Sequence, residues 1–376
     1  MARRPKVARR RIGLALAGGG PFGAIYEIGA LLALEESLGL DLNRLDCYVG
    51  VSAGSFIAAA LANGIPVEKI YRSFIAGEKG EGAVAPRLFM RPAWREYANA
   101  ALGARLPNGL FDNEPIHEYL ARVFAQPGLS NDFRELRRPL FVVATDLDSG
   151  QSVSFGRHGN DAVPISKAVQ ASSALPGLFP PVLIGSHHYV DGALAKTMHA
   201  SEALESGATL VIGVNPIVPY DADLAARRGA RRRLRLVDGG FPVVLSQTFR
   251  TMIRSRMAVG LAGYRARHPD ADVVVFEPEA YDSEIFFTNI FSYASRRHLC
   301  EHAYQRTRAD LLRRGESLRP ALSRHGLAIR RDRLEDRTRT LARRIPPASI
   351  GGELANAAGQ LRDTLADLRR GLDALA

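Results

Sequence analysis

The sequence Gly50-Val51-Ser52-Ala53-Gly54 has the spacing G-x-S-x-G, and the mostly apolar run Leu45 to Val49 precedes it. The small, helix-compatible run Ser55 to Leu61 follows it. A strand, a sharp turn and a helix would place the Ser52 hydroxyl at the apex of a nucleophile elbow, because the flanking glycines let neighbouring backbone approach without a Cβ clash. Ser52 is therefore the predicted nucleophile. Since the same spacing also occurs in ordinary strand-to-helix turns, other parts of the chain have to support this prediction.

The stretch before the elbow predicts the fold class. Ile12 to Ala17 is typical of a buried strand, Gly18 to Gly23 of a tight loop, and Ala24 to Leu38 of a helix that ends before Gly39. The order is thus strand, glycine loop, helix, strand, elbow and helix. This order predicts an α/β fold built on a mainly parallel sheet.

Further elements follow along the chain. The predicted strands are 139–146, 152–155, 182–190, 209–214 and 272–277, and the predicted helices are 115–124, 165–172, 242–264 and 292–312. Residues 77–113 are irregular but contain large apolar side chains, which favours a cap over a plain linker. We expect a basic leader at 1–11, a catalytic domain at 12–315 and a basic helical tail at 316–376.

The composition indicates a globular protein with an anionic partner. Hydrophobic residues make up 46% of the 376 residues and charged residues 24%, which is ordinary for a folded chain. The net charge of +11 is unusual and is compatible with a membrane surface, an acidic lipid or a nucleic acid. The arginine clusters lack interleaved aromatic residues and any recognisable nucleic-acid-binding motif, so we expect no nucleic-acid binding. The basic clusters lie at 3–11, 227–235 and 319–344.

The two cysteines, Cys47 and Cys300, are too few for a disulfide framework and indicate a reducing compartment. No run of the sequence reaches the length of a membrane-spanning helix, and the short apolar run after the leader continues directly into the glycine loop instead of ending as a signal peptide would. We therefore expect a cytoplasmic protein, peripheral to a membrane at most, with no structural metal and no cofactor.

The tail carries a leucine stripe. Leucines recur at spacings of three, four and seven between Leu354 and Leu375, which predicts an amphipathic helix. Such a helix could pack on the catalytic domain, join two copies of the chain in a homo-oligomer, or bind a membrane.

Gly18, Gly20 and Gly23 also fit the dinucleotide-binding pattern G-x-G-x-x-G. That pattern needs an acidic residue just after the second strand, where this chain has the elbow instead. An oxyanion hole is the better interpretation, since glycine N–H groups at a helix N-terminus can donate to an attacked carbonyl oxygen.

A serine nucleophile needs a base. The chain has nine histidines, all after Ser52, so a Ser-Asp-His triad stays open at this point. The elbow lies only about fifty residues into the chain, which is earlier than the order of α/β hydrolases predicts. Asp191 ends a predicted strand and precedes Gly192, and it is the better candidate.

Four ordered motifs together resemble the patatin-like phospholipases. They are Gly18 to Gly23, Gly50 to Gly54, Ala171-Ser172-Ser173-Ala174-Leu175-Pro176 and Asp191-Gly192-Ala193, with Thr145-Asp146-Leu147 and Gly150 as further support. The resemblance covers about Ile12 to Val214. It implies a three-layer α/β/α fold with a C-terminal helical extension in this chain.

The resemblance also implies a lipid acyl hydrolase with a Ser-Asp dyad and no catalytic histidine. Carried over by position, Ser52 is the nucleophile and Asp191 accepts and returns its proton. The backbone of Gly18, Gly19 and Gly20 forms the oxyanion hole, with the Ala53 N–H as an extra donor. The substrates would be fatty acyl esters of phospholipids or lysophospholipids, and an alcohol acceptor would make a transacylase. A catalytically silent lipid-binding scaffold on the same fold is the alternative.

Two positions depart from the family pattern. Phe22 stands where the family commonly has Arg or Lys, and His199 stands where it often has Pro. The first departure removes a cation beside the glycine loop, which puts the rate or the preference for a charged head group in doubt. Phe22 could instead simply pack in the core.

Overall fold

A computed structural model of the chain describes residues 10–77, 91–93, 107–229, 235–287 and 293–346. The strands are β1 Ile12–Leu16, β2 Cys47–Val51, β3 Leu140–Asp146, β4 Ser152–Phe155, β5 Val182–Ile184, β6 His187–Asp191, β7 Leu210–Val214 and β8 Asp272–Phe276. The helices are α1 Gly20–Leu38, α2 Ala53–Ala62, α3 Val67–Tyr71, α4 Glu114–Phe124, α5 Ile165–Ser172, α6 Ala200–Glu205, α7 Ala222–Arg227, α8 Gly240–Arg267, α9 Ser283–Phe287, α10 Tyr293–Arg324, α11 Arg331–Glu335 and α12 Leu341–Arg344.

The eight strands of the described residues form one sheet in the order β5-β6-β3-β2-β1-β7-β8, with β4 paired to β3. The five strands from β3 to β8 along this order are parallel, while β4, β5 and β6 pair antiparallel. The predicted α/β class with a mainly parallel sheet is confirmed. β5 and β6 form a hairpin because Gly185 adopts a positive φ between them.

The sheet divides the core into two layers because successive side chains of a strand point to opposite faces. In β1, Leu14 and Leu16 pack into the cluster formed with α1, α2 and α10, whereas Ala15 and Ala17 belong to the cluster on the other face, with α6 and α8. Helices therefore cover both faces, as the predicted three-layer arrangement requires.

The glycine loop is shorter than the sequence predicts. Helix α1 begins at Gly20, with Pro21 in its first turn and the Gly23 N–H bonded to the Gly19 carbonyl. Proline suits this position because the first N–H groups of a helix have no intrahelical acceptor. Only Ala17, Gly18 and Gly19 remain between β1 and the helix.

The C-terminal part differs from the sequence prediction. Helix α10 was expected to end at Leu312 but continues to Arg324, so the predicted domain boundary after 315 falls inside it. Beyond it, Leu341 and Ile345 are buried in the core cluster, and Arg344 forms an ion pair with Glu35 of α1 at 2.6 Å. The α/β body therefore includes residues up to Ile345. The leucine stripe from Leu354 to Leu375 lies outside the described residues, as does most of the predicted cap.

Candidate active site

Ser52 lies at the turn between β2 and α2, as the G-x-S-x-G spacing predicts. Its backbone has φ 50° and ψ −125°, a conformation that non-glycine residues rarely adopt. Gly54 is needed here because a Cβ on it would lie 2.6 Å from the carbonyl oxygen of Ala17, the residue that follows β1. The close approach of α2 to this strand thus fixes the sharp turn, and Ser52 is 6% exposed at its apex.

Ser172, the last residue of α5, holds the turn from the other side. Its hydroxyl accepts a hydrogen bond from the Ser52 N–H at 2.8 Å and donates one to the Val143 carbonyl at 2.6 Å. All three groups are buried. The sequence motif containing Ser172 was recognised, but its contact with the elbow was not predicted, because nothing in the local pattern shows which backbone group a serine on another helix will meet.

Asp191 ends β6 and faces the elbow. Its carboxylate accepts a hydrogen bond from the Ala193 N–H at 2.9 Å, and the neighbouring Ser52 hydroxyl favours its charged form and so lowers its pKa. The side chain is 3% exposed. Burial raises the pKa of the Asp191 carboxyl to about 6, against the lowering effects of the Ser52 hydroxyl and the Ala193 N–H, because the charged form loses its hydration. A carboxylate with this pKa is ionised at neutral pH yet is a stronger base than an exposed aspartate.

The histidines lie elsewhere. All nine are among the described residues, and none hydrogen-bonds Ser52 or Asp191 or lines the cavity beside them. His199 comes nearest in sequence and contacts the Gly192 carbonyl through Nε2 at 3.3 Å. Burial lowers the pKa of His199 to about 4, so the ring is neutral at neutral pH. The geometry brings together a serine and a carboxylate without an imidazole between them.

The glycine loop lies beside the serine. Gly18 is in direct contact, since a Cβ there would lie 3.2 Å from the Cβ of Ser52. Its N–H donates to the Thr197 carbonyl at 3.3 Å, so the geometry does not support the prediction that Gly18 is also an oxyanion donor. The N–H groups of Gly19, Gly20 and Ala53 have no protein acceptor within the described part of the chain. All three residues line the cavity at the N-termini of α1 and α2.

Ser52 and Asp191 lie at the wall of a cavity of about 1040 Å³. Its lining is mainly apolar and comes from α1 to α4, the loop after α5 and helix α8. Leu110 and Phe111, from the end of the stretch predicted as a cap, also contribute. A cavity of this size and polarity exceeds what most small polar ligands need and suits a long acyl chain.

Phe22 is buried in the first turn of α1, within the core cluster and at the cavity wall. The interpretation that it packs in the core is therefore correct. The loop itself carries no cation, but the guanidinium of Arg250 from α8 lies over the Phe22 ring, 5.5 Å from its centroid.

One group of side chains could accept a cation. Ligand atoms of Asp146, Asp148 and His187 lie within 4.8 Å of one another at the end of β3. The Asp146 carboxylate already accepts hydrogen bonds from the Asp148 N–H and the Ser149 hydroxyl. These bonds close the turn after β3, so the cluster has a structural explanation.

The family model for patatin-like phospholipases matches residues 14–204, which is half of the chain. The chain belongs to the patatin-like phospholipase family. An uncharacterized NTE family protein of Mycobacterium bovis is 31% identical to this patatin-like chain over 201 residues, 52% of this chain and 28% of that protein. A probable lipid hydrolase of Invertebrate iridescent virus 6 is 22% identical over 182 residues, 47% of this chain and 58% of that protein. The matched region thus spans less than two thirds of either relative.

Among solved structures, the patatin-like chain is similar to VipD from Legionella pneumophila. The alignment covers 92% of this chain and 82% of VipD at 14% identity, with a TM-score of 0.34. This similarity is too low to support an argument about the site.

Helix α8 was predicted as a helix from the sequence. Its position along the cavity of this patatin-like fold had no signal in the sequence.

Proposed function

We propose that the protein is a serine lipid acyl hydrolase that uses a Ser52-Asp191 dyad and forms an acyl-enzyme. The observation that carries this proposal is the position of the Ser52 hydroxyl beside the buried Asp191 carboxylate, whose pKa it lowers, at the wall of a large apolar cavity. The family assignment supports the same reaction class.

In the acylation step, Asp191 takes the proton of the Ser52 hydroxyl while Oγ forms a bond to the ester carbonyl carbon. Negative charge develops on the carbonyl oxygen, and the N–H groups of Gly19, Gly20 and Ala53 are positioned to donate to it. The positive ends of the α1 and α2 dipoles add to this stabilisation. When the tetrahedral intermediate collapses, the bond to the leaving alkoxide breaks and Asp191 returns the proton to that oxygen.

In the second step, Asp191 takes a proton from a water molecule, whose oxygen attacks the acyl carbon. The bond to Ser52 Oγ then breaks and the serine recovers its proton. An alcohol in place of water would yield a new ester by the same proton transfers, so the transacylase alternative shares every residue with the hydrolase.

The proposed substrates are fatty acyl esters of phospholipids or lysophospholipids, since the apolar lining favours burial of an acyl chain. None of the helices in the described residues combines the length and hydrophobicity that a membrane span requires. We propose peripheral association with an anionic membrane on the basis of the net charge of +11. A homo-oligomer through the C-terminal helices remains a prediction.

The test is covalent labelling of the purified protein with a fluorophosphonate probe, followed by peptide mapping. We expect one adduct on Ser52, no adduct in Ser52→Ala, and strongly slowed labelling in Asp191→Asn. Absence of labelling in a protein with a native circular dichroism spectrum would favour the silent lipid-binding scaffold. Product analysis with glycerol as added acceptor separates hydrolysis from transacylation.

A further inference from the structure

Arg250 is a half-buried arginine on helix α8 that lines the same cavity as Ser52. Two aromatic rings hold its guanidinium from different elements. The Cζ atom lies 5.5 Å from the centroid of Phe22 in α1 and 5.0 Å from that of Phe286 in α9. Phe22 lies three residues after Gly19, the last residue of the glycine loop, so Arg250 brings a cation to the side of the cavity formed by that loop.

No carboxylate neutralises Arg250 among the described residues. Nη1 donates to the Val218 carbonyl at 3.1 Å and Nε to the Ser246 hydroxyl at 3.3 Å, both neutral acceptors. A guanidinium has five N–H donors, so most of the hydrogen-bonding capacity of Arg250 is not used by these contacts.

Two acidic residues that share a second, smaller cavity with Arg250 pair with other groups. Glu279 and Asp282 line a small cavity that Arg250 also borders. Glu279 forms an ion pair with Arg313. Asp282 contacts His302 at 2.7 Å and Arg306 at 3.2 Å. These two carboxylates therefore form their ion pairs with residues other than Arg250.

The next turn of the same helix gives the contrast. Arg254 forms an ion pair with Glu277 at 2.5 Å and does not line the cavity. Arg256 does line the cavity and donates to the Leu194 carbonyl, just after Asp191. Helix α8 contains five arginines and no acidic residue, and two of these arginines, Arg250 and Arg256, line the cavity.

A cation that loses hydration without gaining a carboxylate is costly. Burial lowers the pKa of Arg250 to about 10, which leaves the side chain protonated at neutral pH. The two aromatic rings offset part of the cost through cation–π attraction. An anionic ligand group would offset the rest, because guanidinium pairs well with phosphate oxygens.

We propose that Arg250 binds the phosphate group of the lipid substrate, and that it supplies from α8 the cation that Phe22 removes from the glycine loop. This inference rests on the proposed function, because it assigns the head group of the ester that Ser52 attacks. The apolar lining then holds the acyl chain, and Arg250 distinguishes phosphate-bearing esters from neutral esters.

The test compares lysophosphatidic acid with monoacylglycerol carrying the same oleoyl chain, both presented in neutral detergent micelles. The two substrates differ only in the phosphate. Arg250→Met should raise KM for lysophosphatidic acid about tenfold or more, since a charge-assisted hydrogen bond is lost, and should change KM for monoacylglycerol far less. Arg250→Lys should lose less than Arg250→Met. Arg254→Met removes the same charge one turn away and should affect neither substrate.

Equal losses on both substrates in folded Arg250→Met, or an equal effect of Arg254→Met, would overturn the inference while the hydrolase proposal stands. If Arg250→Met does not fold by circular dichroism, Arg250→Lys and Arg250→Gln carry the same comparison.

A binding experiment separates this inference from the hydrolase proposal. Calorimetric titration of Ser52→Ala with lysophosphatidic acid needs no turnover, and the additional Arg250→Met change should weaken the affinity about tenfold. Unchanged affinity overturns the inference even if the enzyme hydrolyses esters. Titration with inorganic phosphate distinguishes the sources of the anion. Arg250-dependent binding of inorganic phosphate, with no preference for lysophosphatidic acid over monoacylglycerol, would mean a site for free phosphate and would also overturn it.

Discussion

The backbone N–H of Ser52 donates a 2.8 Å hydrogen bond to the hydroxyl of Ser172, which lies 120 positions further along the chain. Ser172 in turn donates to the Val143 carbonyl of β3, the strand next to β2. The buried Ser172 hydroxyl therefore links the elbow, helix α5 and the sheet through two hydrogen bonds. Because Ser52 has an unfavourable backbone conformation, these bonds help to stabilise that conformation.

Ser172→Ala should lower kcat for a soluble ester about tenfold or more while KM changes little, because the serine loses its fixed position and not its substrate contacts. Loss of the buried bonds should also cost about 1–3 kcal/mol of unfolding free energy. The adjacent Ser173→Ala is the matched control, since the Ser173 hydroxyl has no hydrogen-bond partner among the described residues. Kinetics and urea unfolding of both variants measure this. Equal effects of the two changes would contradict the positioning role.

The pH profile should follow Asp191. Since its carboxylate accepts the proton and its pKa is raised to about 6, kcat/KM for a neutral soluble ester should rise with pH through about 6 and then stay level. Stopped assays between pH 4 and pH 9 measure the midpoint, and Asp191→Asn should remove the activity. A midpoint near the usual pKa of histidine that disappears on substituting one histidine would contradict the dyad.

Asp191 should also destabilise the folded protein at neutral pH. The folded pKa of about 6 lies above the ordinary value of 3.8, so the folded state resists ionisation. Below pH 4 the carboxyl is protonated in both states, and the penalty develops between pH 4 and pH 6 and is complete above pH 6. It amounts to on the order of 2 to 3 kcal/mol.

Asp191→Asn should therefore raise Tm above pH 6 and leave it nearly unchanged at pH 4. Thermal unfolding across this pH range measures the difference. A Tm increase of the same size at every pH would point to a cause other than ionisation.

His199 should be dispensable for the chemistry. His199→Asn keeps a residue that tolerates the left-handed conformation at φ 46°, and it should retain most of the ester hydrolysis. Ser52→Ala and Asp191→Asn should each lose several orders of magnitude in kcat, because each removes half of a unit. Parallel assays, with circular dichroism as the folding control, make the comparison. A folded His199→Asn as inactive as Ser52→Ala would restore the triad.

Membrane association should depend on the N-terminal charges more than on the leucine stripe. Residues 1–9 contain four basic and no acidic residues, whereas 347–376 contain three arginines and four acidic residues. Each basic side chain near an anionic leaflet contributes about 1 kcal/mol. Deletion of 1–9 should therefore weaken salt-sensitive binding to anionic vesicles, and deletion of 347–376 should preserve it.

Co-sedimentation with anionic and neutral vesicles measures this, with soluble-ester turnover as the control for folding. Truncation after Pro346 is suitable because it leaves the buried Leu341 and Ile345 in place. Loss of salt-sensitive binding only when 347–376 is removed would show that the stripe, and not the leader, carries the membrane contact.

The sequence determined the α/β class, the order of its elements and the elbow at Ser52. These follow from local signals, because apolar periodicity, glycine spacing and short motifs act over a few residues. The Ser52-Asp191 dyad was implied by the family resemblance and stays a prediction. Element ends were less accurate where tertiary packing decides them. Helix α10 passes Gly315 because Leu318 and Leu322 are buried against the body of the protein.

Only the tertiary structure decided which donors of the glycine loop are available, since the Gly18 N–H is occupied by the Thr197 carbonyl of a distant loop. It also decided that Ser172 anchors the elbow and that Arg250 covers Phe22. Phe22 and Arg250 are more than two hundred residues apart, and their contact depends on how α1 and α8 meet at one cavity. A side chain's charge is visible in the sequence, but its partner is set by packing, and here packing placed no described carboxylate beside Arg250.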